Sequence, residues 1–124
     1  MNKNNKLSSS ERAKYWDENY VKYWKERVRE ANNYSSKNSK IVNGDKITTS
    51  DEIYKNAIES LKIDKKDLSL ELGCGFGRSL PLLCKLSKKV IAVDISVEMI
   101  NASKAKVKKD NIEFYVSPSE NLPF

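Results

Sequence analysis

Two carboxylates and three closely spaced glycines are the residues of this 124-residue chain whose types and spacing could do chemistry. Glu71 stands two positions before Gly73, and Gly75 and Gly77 follow at every second position. A loop without side-chain bulk lets the backbone come very close to a ligand, and a carboxylate beside it favours a cationic group. Asp94 ends the next apolar run, where a carboxylate can accept both hydroxyls of a ribose. The alternatives are a tight turn for the glycines and a helix-capping or turn residue for Asp94.

Alternating strands and helices are needed to position these residues. Apolar alternation over 68–72 predicts a strand, and 78–86 reads as a helix with a proline early enough to be tolerated. The β-branched run 90–94 and the segment 112–116 predict two further strands, separated by a helix over about 97–108. This alternation predicts an α/β fold with a parallel sheet and right-handed crossovers. Ser96 is expected to cap the second of these helices.

The N-terminal half is expected to be helical at both ends. Ser8 and Glu11 have the spacing of a capping box and predict a helix to about Glu30. One stripe of this helix carries Trp16, Tyr20, Tyr23, Trp24 and Val28. We interpret the stripe as packing onto the fold, with a cover over a ligand pocket as the alternative.

A loop is predicted over residues 32–47, followed by a second helix. Thr49 and Glu52 form another capping box, and the helix is expected to run through Leu61. The apolar residues predicted on its buried face are Ile53, Ala57, Ile58 and Leu61.

The glycine spacing distinguishes two classes of nucleotide-binding loop. A dinucleotide fingerprint is GxGxxG, with its third glycine one residue later than Gly77, and a carboxylate at Glu71 would repel a phosphate. Glu-x-Gly-x-Gly-x-Gly resembles the first motif of the class I S-adenosylmethionine-dependent methyltransferases. The resemblance implies a Rossmann-like, doubly wound parallel sheet preceded by N-terminal helices. It also implies that S-adenosylmethionine (SAM) is the cofactor.

Two later segments extend this resemblance. Val-Asp-Ile-Ser around Asp94, followed by Glu-Met-Ile, is similar to the second motif of the family, in which the residues after the acid flank the adenine. The segment after the third predicted strand resembles the part of the family that contacts the adenine edge. Pro118 stands where many members carry an aspartate, which leaves Ser119 as the nearer candidate. The resemblance thus implies a cofactor site of Glu71, Gly73, Cys74, Gly75, Gly77, Asp94, Ile95, Met99 and Ser119.

The resemblance also implies an expected domain organisation. Residues 1–62 are expected to form an N-terminal helical segment, and residues 63–124 the first portion of a methyltransferase domain, truncated after its third strand. The acceptor-binding part of the family pattern would follow, so neither acceptor nor catalytic residues are assigned. The unpaired sheet edge is expected to favour self-association. A nicotinamide-dependent oxidoreductase and a non-catalytic interaction module are the alternative functions.

The composition restricts the partners, metal sites and cellular location that we expect. The net charge is +6, but the eleven Lys or Arg and six Asp or Glu of residues 1–47 are interleaved, as on a solvated helix face. We therefore expect a small-molecule acceptor and no nucleic-acid partner. The chain has no histidine, which excludes histidine bases and ordinary histidine-bearing zinc sites, so no metal is predicted. No apolar run is long enough for a membrane span, so we predict a cytoplasmic protein.

Overall fold

A computed structural model describes residues 6–20, 22, 25–26, 40–42, 45–47 and 49–124, and every structural statement below concerns these residues. The helices are α1 (Ser9–Asn19), α2 (Thr49–Ser60), α3 (Leu80–Leu86) and α4 (Val97–Lys106). The strands are β1 (Lys40–Val42), β2 (Asp45–Ile47), β3 (Leu68–Leu72), β4 (Lys89–Asp94) and β5 (Ile112–Val116).

The three strands predicted from apolar runs form one parallel sheet in the order β3-β4-β5. Helix α3 connects β3 to β4, and α4 connects β4 to β5, as expected for an α/β fold with consecutive crossovers. The register pairs Leu72 with Val93 and Asp94 with Val116, so the carboxyl ends of the strands lie side by side. The predicted α/β class is confirmed.

The hydrophobic core lies between this sheet and α3 and α4. Val90 and Ala92 are completely buried beneath the helices, because alternate residues of β4 point to the same face. The residues that the helices contribute to this core include Leu80, Leu83, Cys84 and Ile100. On the opposite face of the sheet, Leu68, Leu70 and Leu72 are 63%, 45% and 47% exposed. The described helices therefore cover one face of β3 far better than the other.

The capping box at the start of α1 is confirmed. The Ser8 hydroxyl accepts from the Glu11 amide, and the Glu11 carboxylate accepts from the Ser8 amide at 2.8 Å. This carboxylate lies in the first turn, where it also complements the helix dipole. Tyr20 caps the helix at its other end. The predicted continuation to Glu30, with Tyr23, Trp24 and Val28, falls largely outside the described residues.

A short antiparallel hairpin replaces part of the loop predicted over residues 32–47. Lys40 pairs with Ile47, and Val42 with Asp45. The loop prediction was wrong here because it gave no weight to Asn43-Gly44, a pair typical between the strands of a two-residue hairpin.

The predicted buried face of α2 is only partly confirmed. Ile58 is buried against α3, but Ala57 is exposed and Leu61 is 68% exposed. Leu61 follows the last helical residue, and Lys62 then turns the backbone with a φ of 52°. Because Leu61 already lies in the turn after the helix, it has left the helical stripe, which explains its exposure. Ile53 lies outside the described side chains, and the division at residue 62 stays a prediction.

Candidate functional site

A cavity of about 340 Å³ opens at the carboxyl ends of β3 and β4. Ligands of open α/β sheets bind at this edge, where loops rather than strands determine the chemistry. The cavity is lined by Arg12 and Trp16 of α1, Gly73 and Gly75 after β3, Val93, Asp94, Ile95 and Met99 around the β4–α4 junction, and residues 117–120 after β5.

Most residues predicted for the site line this cavity. They are Gly73, Gly75, Asp94, Ile95, Met99 and Ser119. Glu71, Cys74 and Gly77 do not line it, and each has a different place in the structure.

The three glycines all have left-handed backbone conformations, with φ values of 68°, 55° and 86° for Gly73, Gly75 and Gly77. A Cβ atom on Gly73 or Gly75 would meet no atom within 4 Å, because both residues face open space. A Cβ on Gly77 would lie 3.0 Å from the Ser103 hydroxyl and 3.2 Å from Leu80. Gly73 and Gly75 thus keep the cavity open, whereas Gly77 lets the loop pack closely on α4.

Asp94 holds the glycine loop from the side. One of its carboxylate oxygens accepts from the Gly75 amide at 2.9 Å, and the other accepts from the Ser96 amide at 2.9 Å. The Ser103 hydroxyl donates to the Gly75 carbonyl at 2.6 Å. A carboxylate has about four acceptor positions, so Asp94 can still accept from ligand hydroxyls. The ribose role and the turn role are therefore compatible in one side chain.

Glu71 lies in a different environment from Asp94. Burial raises its pKa to about 7. Its Oε2 atom is buried and has no hydrogen-bond partner among the described residues. An unpaired buried carboxylate is costly, and a cationic group beside it would remove much of that cost. The side chain is thus suited to pair with a positively charged group of a ligand.

The thiol of Cys74 is buried below the loop. Burial, together with the charge of Asp94, raises its pKa to about 12, so the thiolate needed for nucleophilic attack is scarce at neutral pH. Its Sγ atom lies 3.9 Å from the Ser103 hydroxyl. The structure indicates a packing role for this residue.

Several cavity residues were missing from the predicted site. Arg12 and Trp16 reach it from α1, and Pro118 and Glu120 reach it from the segment after β5. The Nε atom of Arg12 is buried without a hydrogen-bond partner among the described residues. The signal for α1 was present, since Trp16 belongs to the aromatic stripe for which a cover was the alternative interpretation. Ser96, the confirmed N-cap of α4, is completely buried. Its hydrogen bonds to distant residues could not be predicted from the spacing of residues in the sequence.

The described part of the chain holds no cluster of three or more potential metal-ligating side chains. Within the same residues, no helix has the length and apolar character to cross a membrane.

Comparison with known proteins identifies the fold family. Residues 70–124 match the family model described as "Methyltransferase domain". These residues are thus similar to the methyltransferase domain family over somewhat less than half of the chain. The match begins inside β3 and includes the glycine loop, Asp94 and the segment after β5, which line the cavity together with α1.

Individual relatives agree with this family. A Dictyostelium discoideum protein named as a methyltransferase is 35% identical over 75 residues, which are 60% of this chain and 27% of that protein. The crystal structure of a dimethyladenosine transferase from Plasmodium falciparum is 34% identical with a TM-score of 0.55, over 59% of this chain and 28% of that one. DhpI, in a complex with SAM and HEP, is 26% identical with a TM-score of 0.51, over 82% of this chain and 42% of that one.

The predicted resemblance to Rossmann-like, SAM-dependent methyltransferases is therefore confirmed. This family implies SAM as the cofactor of the methyltransferase domain. The chain spans 27–42% of the length of the three proteins compared above.

Proposed function

We propose that this protein is a SAM-dependent methyltransferase whose cofactor occupies the cavity at the ends of β3 and β4. The observation that carries the proposal is the buried Oε2 atom of Glu71, which has no hydrogen-bond partner among the described residues and lies two positions before Gly73, one of the two glycines that keep the cavity open. SAM has an ammonium group, a ribose and an adenine, and the chain offers matching chemistry for each.

Each part of the cofactor would be held by a different segment. Glu71 supplies the negative charge that the ammonium group favours, and Gly73 and Gly75 leave room for the backbone to approach. The free acceptor capacity of Asp94 suits the ribose hydroxyls. Ile95 and Met99 offer apolar surface to the adenine, with Ser119 as the polar candidate near its edge.

The bound cofactor would supply an electrophilic methyl group on a sulfonium. Transfer from such a group depends mainly on the proximity and alignment of the acceptor. The work of these residues is therefore to bind and orient, and we assign no general base. The buried, protonated thiol of Cys74 is not proposed as a nucleophile.

The acceptor is proposed to be a small molecule and the location cytoplasmic. The support is the interleaving of opposite charges in residues 1–47, which is typical of a solvated surface rather than of a nucleic-acid-binding stripe. Self-association through the β3 edge is part of the proposal, supported by the position of β3 at the edge of the described sheet and by the exposed leucines on its face.

Isothermal calorimetry with S-adenosylhomocysteine and NAD tests the cofactor. We expect binding of S-adenosylhomocysteine and none of NAD, because Glu71 disfavours a pyrophosphate. Binding of NAD alone would instead support the oxidoreductase alternative. Binding without transfer of labelled methyl to a panel of acceptors would support a non-catalytic module, and a filter-binding titration with RNA at physiological salt tests the acceptor class.

A further inference from the structure

Helix α1 is fastened to the methyltransferase domain by the side chain of Asp17. Its Oδ1 atom accepts from the Ser96 hydroxyl at 2.5 Å and from the Glu98 amide at 3.2 Å. Both donors lie at the N-terminus of α4, where a carboxylate is favoured by the free amides and by the helix dipole. Asp17 therefore acts as a second cap on α4, supplied by an element far away in sequence.

Ser96 connects this contact to the cavity. It is completely buried, and its hydroxyl donates to Asp17 while accepting from the Met99 amide at 3.1 Å. Its own amide donates to Asp94, whose other oxygen accepts from the Gly75 amide. A continuous chain of hydrogen bonds thus runs from α1 through Ser96 and Asp94 to the glycine loop.

The residue before Asp17 is part of the cavity wall. Trp16 and Arg12 are one helical turn apart, so they share the face of α1 that lines the cavity. Glu120 also contacts α1: it forms an ion pair with Arg12, in which the side chains are 33% and 50% exposed, and accepts from the Ser9 hydroxyl at 3.4 Å. Exposed ion pairs contribute little because water and salt screen them. The Asp17 contact, made to a buried partner, is the stronger candidate for holding α1 in place.

We propose that Asp17 is a positioning residue that holds Trp16 and Arg12 against the cofactor cavity, so that docking of α1 and ligand binding support each other. The reason is structural: one hydrogen-bond chain joins the attachment of α1 to Asp94 and Gly75. A ligand held by Asp94 and covered by Trp16 stabilises the docked helix, and by reciprocity a docked helix tightens the ligand. The ligand's identity rests on the proposed function, whereas the attachment of α1 does not.

The test compares Asp17→Ala, Asp17→Asn and Glu18→Ala. Asn keeps an acceptor oxygen, and Glu18 is an exposed neighbour that pairs with Lys14 within α1. Each change is made in a Trp24→Phe background, which leaves Trp16 as the only tryptophan. The affinity for S-adenosylhomocysteine is read from Trp16 fluorescence, and docking of α1 from amide hydrogen exchange of residues 9–20 without ligand.

We expect Asp17→Ala to weaken the affinity about tenfold, within the usual range of coupling between sites, and to speed exchange in residues 9–20. Asp17→Asn should recover most of both properties, and Glu18→Ala should match the background. Slow exchange in β4 verifies that each variant is folded; if Asp17→Ala unfolds, Asp17→Leu, which is similar in size to Asp but has no acceptor oxygen, takes its place in the comparison with Glu18→Ala.

The outcomes separate the two proposals. If the background protein binds and Asp17→Ala binds equally well, the positioning role is wrong while the cofactor proposal stands. If the background protein does not bind, the cofactor proposal fails, and unchanged exchange in residues 9–20 of Asp17→Ala would independently overturn the attachment.

Discussion

The two carboxylates near the ends of β3 and β4 differ in what they are bonded to. Asp94 has both oxygens engaged by backbone amides of the glycine loop and the α4 cap. Glu71 has a buried oxygen without a partner among the described residues, and burial raises its pKa. Asp94 therefore helps to build the site before any ligand arrives, whereas Glu71 is stabilised only when a positive group comes near. Asp94 thus stabilises the folded site without a ligand, whereas Glu71 favours ligand binding at a cost to the stability of the folded chain.

The largest expected effect comes from Gly75, which links Asp94 to the cavity. Gly75→Val should abolish binding of S-adenosylhomocysteine, because the side chain would fill open space in the cavity. The φ of 55° also makes any side chain there cost about 1–2 kcal/mol of stability. Calorimetry measures the binding and thermal melting measures the stability, with Gly75→Ala, which adds backbone strain but only one methyl group, as the control. Unchanged affinity in Gly75→Val would place the ligand elsewhere.

Asp94→Ala is expected to reduce both the stability of the chain and its affinity for the ligand. It removes an acceptor for two backbone amides, which should lower the free energy of unfolding by about 2–3 kcal/mol, and ligand affinity should fall by about 1–3 kcal/mol. Denaturant titration and calorimetry give the two values. Asp94→Asn, which keeps one acceptor oxygen, should lie between Ala and wild type. An intact affinity in Asp94→Ala would remove this carboxylate from the ligand site.

Glu71 should make binding dependent on pH. With a pKa of about 7 the free carboxyl group is protonated at lower pH, whereas the ligand's ammonium group favours the carboxylate. Binding below pH 7 must then release a proton, so affinity should fall as the pH falls, by up to about tenfold per unit. Calorimetry between pH 6 and pH 8 measures this slope, about one unit on either side of the raised pKa.

Glu71→Gln is the matched control for that slope. It should bind weakly at every pH and lose the dependence, while a slope that persists would assign the titration to another group. Without ligand, the stability of the folded chain depends on pH in the opposite direction: it falls as the pH rises. Because the folded pKa lies above the ordinary value of 4.5, Glu71 should cost stability progressively as the pH rises from about 4.5 to about 7, and Glu71→Gln should remove that loss.

The smallest effect is expected at Cys74, which lies between Glu71 and Asp94 in the sequence. Cys74→Ala should leave ligand affinity within about twofold and lower stability by about 1 kcal/mol, typical of a small buried substitution. Alkylation by iodoacetamide at pH 8 should be slow in the native chain, because the pKa of about 12 leaves the thiol protonated. Rapid modification of Cys74 would contradict its buried position.

The sequence was sufficient to predict the elements that are specified locally. The strands 68–72 and 112–116, the Ser8 capping box and the Ser96 cap each depend on residues a few positions apart. The cavity wall from α1 and the contact of Asp17 with Ser96 depend on residues about eighty positions apart, which no local pattern encodes. The sequence could not predict that the buried oxygen of Glu71 lacks a hydrogen-bond partner among the described residues, since this depends on how the loop and helices pack around the strand.

The exposed leucines of β3 also affect the colloidal behaviour of the protein. Leu68, Leu70 and Leu72 present an apolar strip on an edge strand, and attraction between such strips is short-ranged. The net charge of +6 opposes it through a longer-ranged repulsion that salt screens. Solubility should therefore decline as the pH approaches the isoelectric point near 9.2, where that repulsion vanishes. Low ionic strength and neutral pH are the conditions that keep copies of the chain apart.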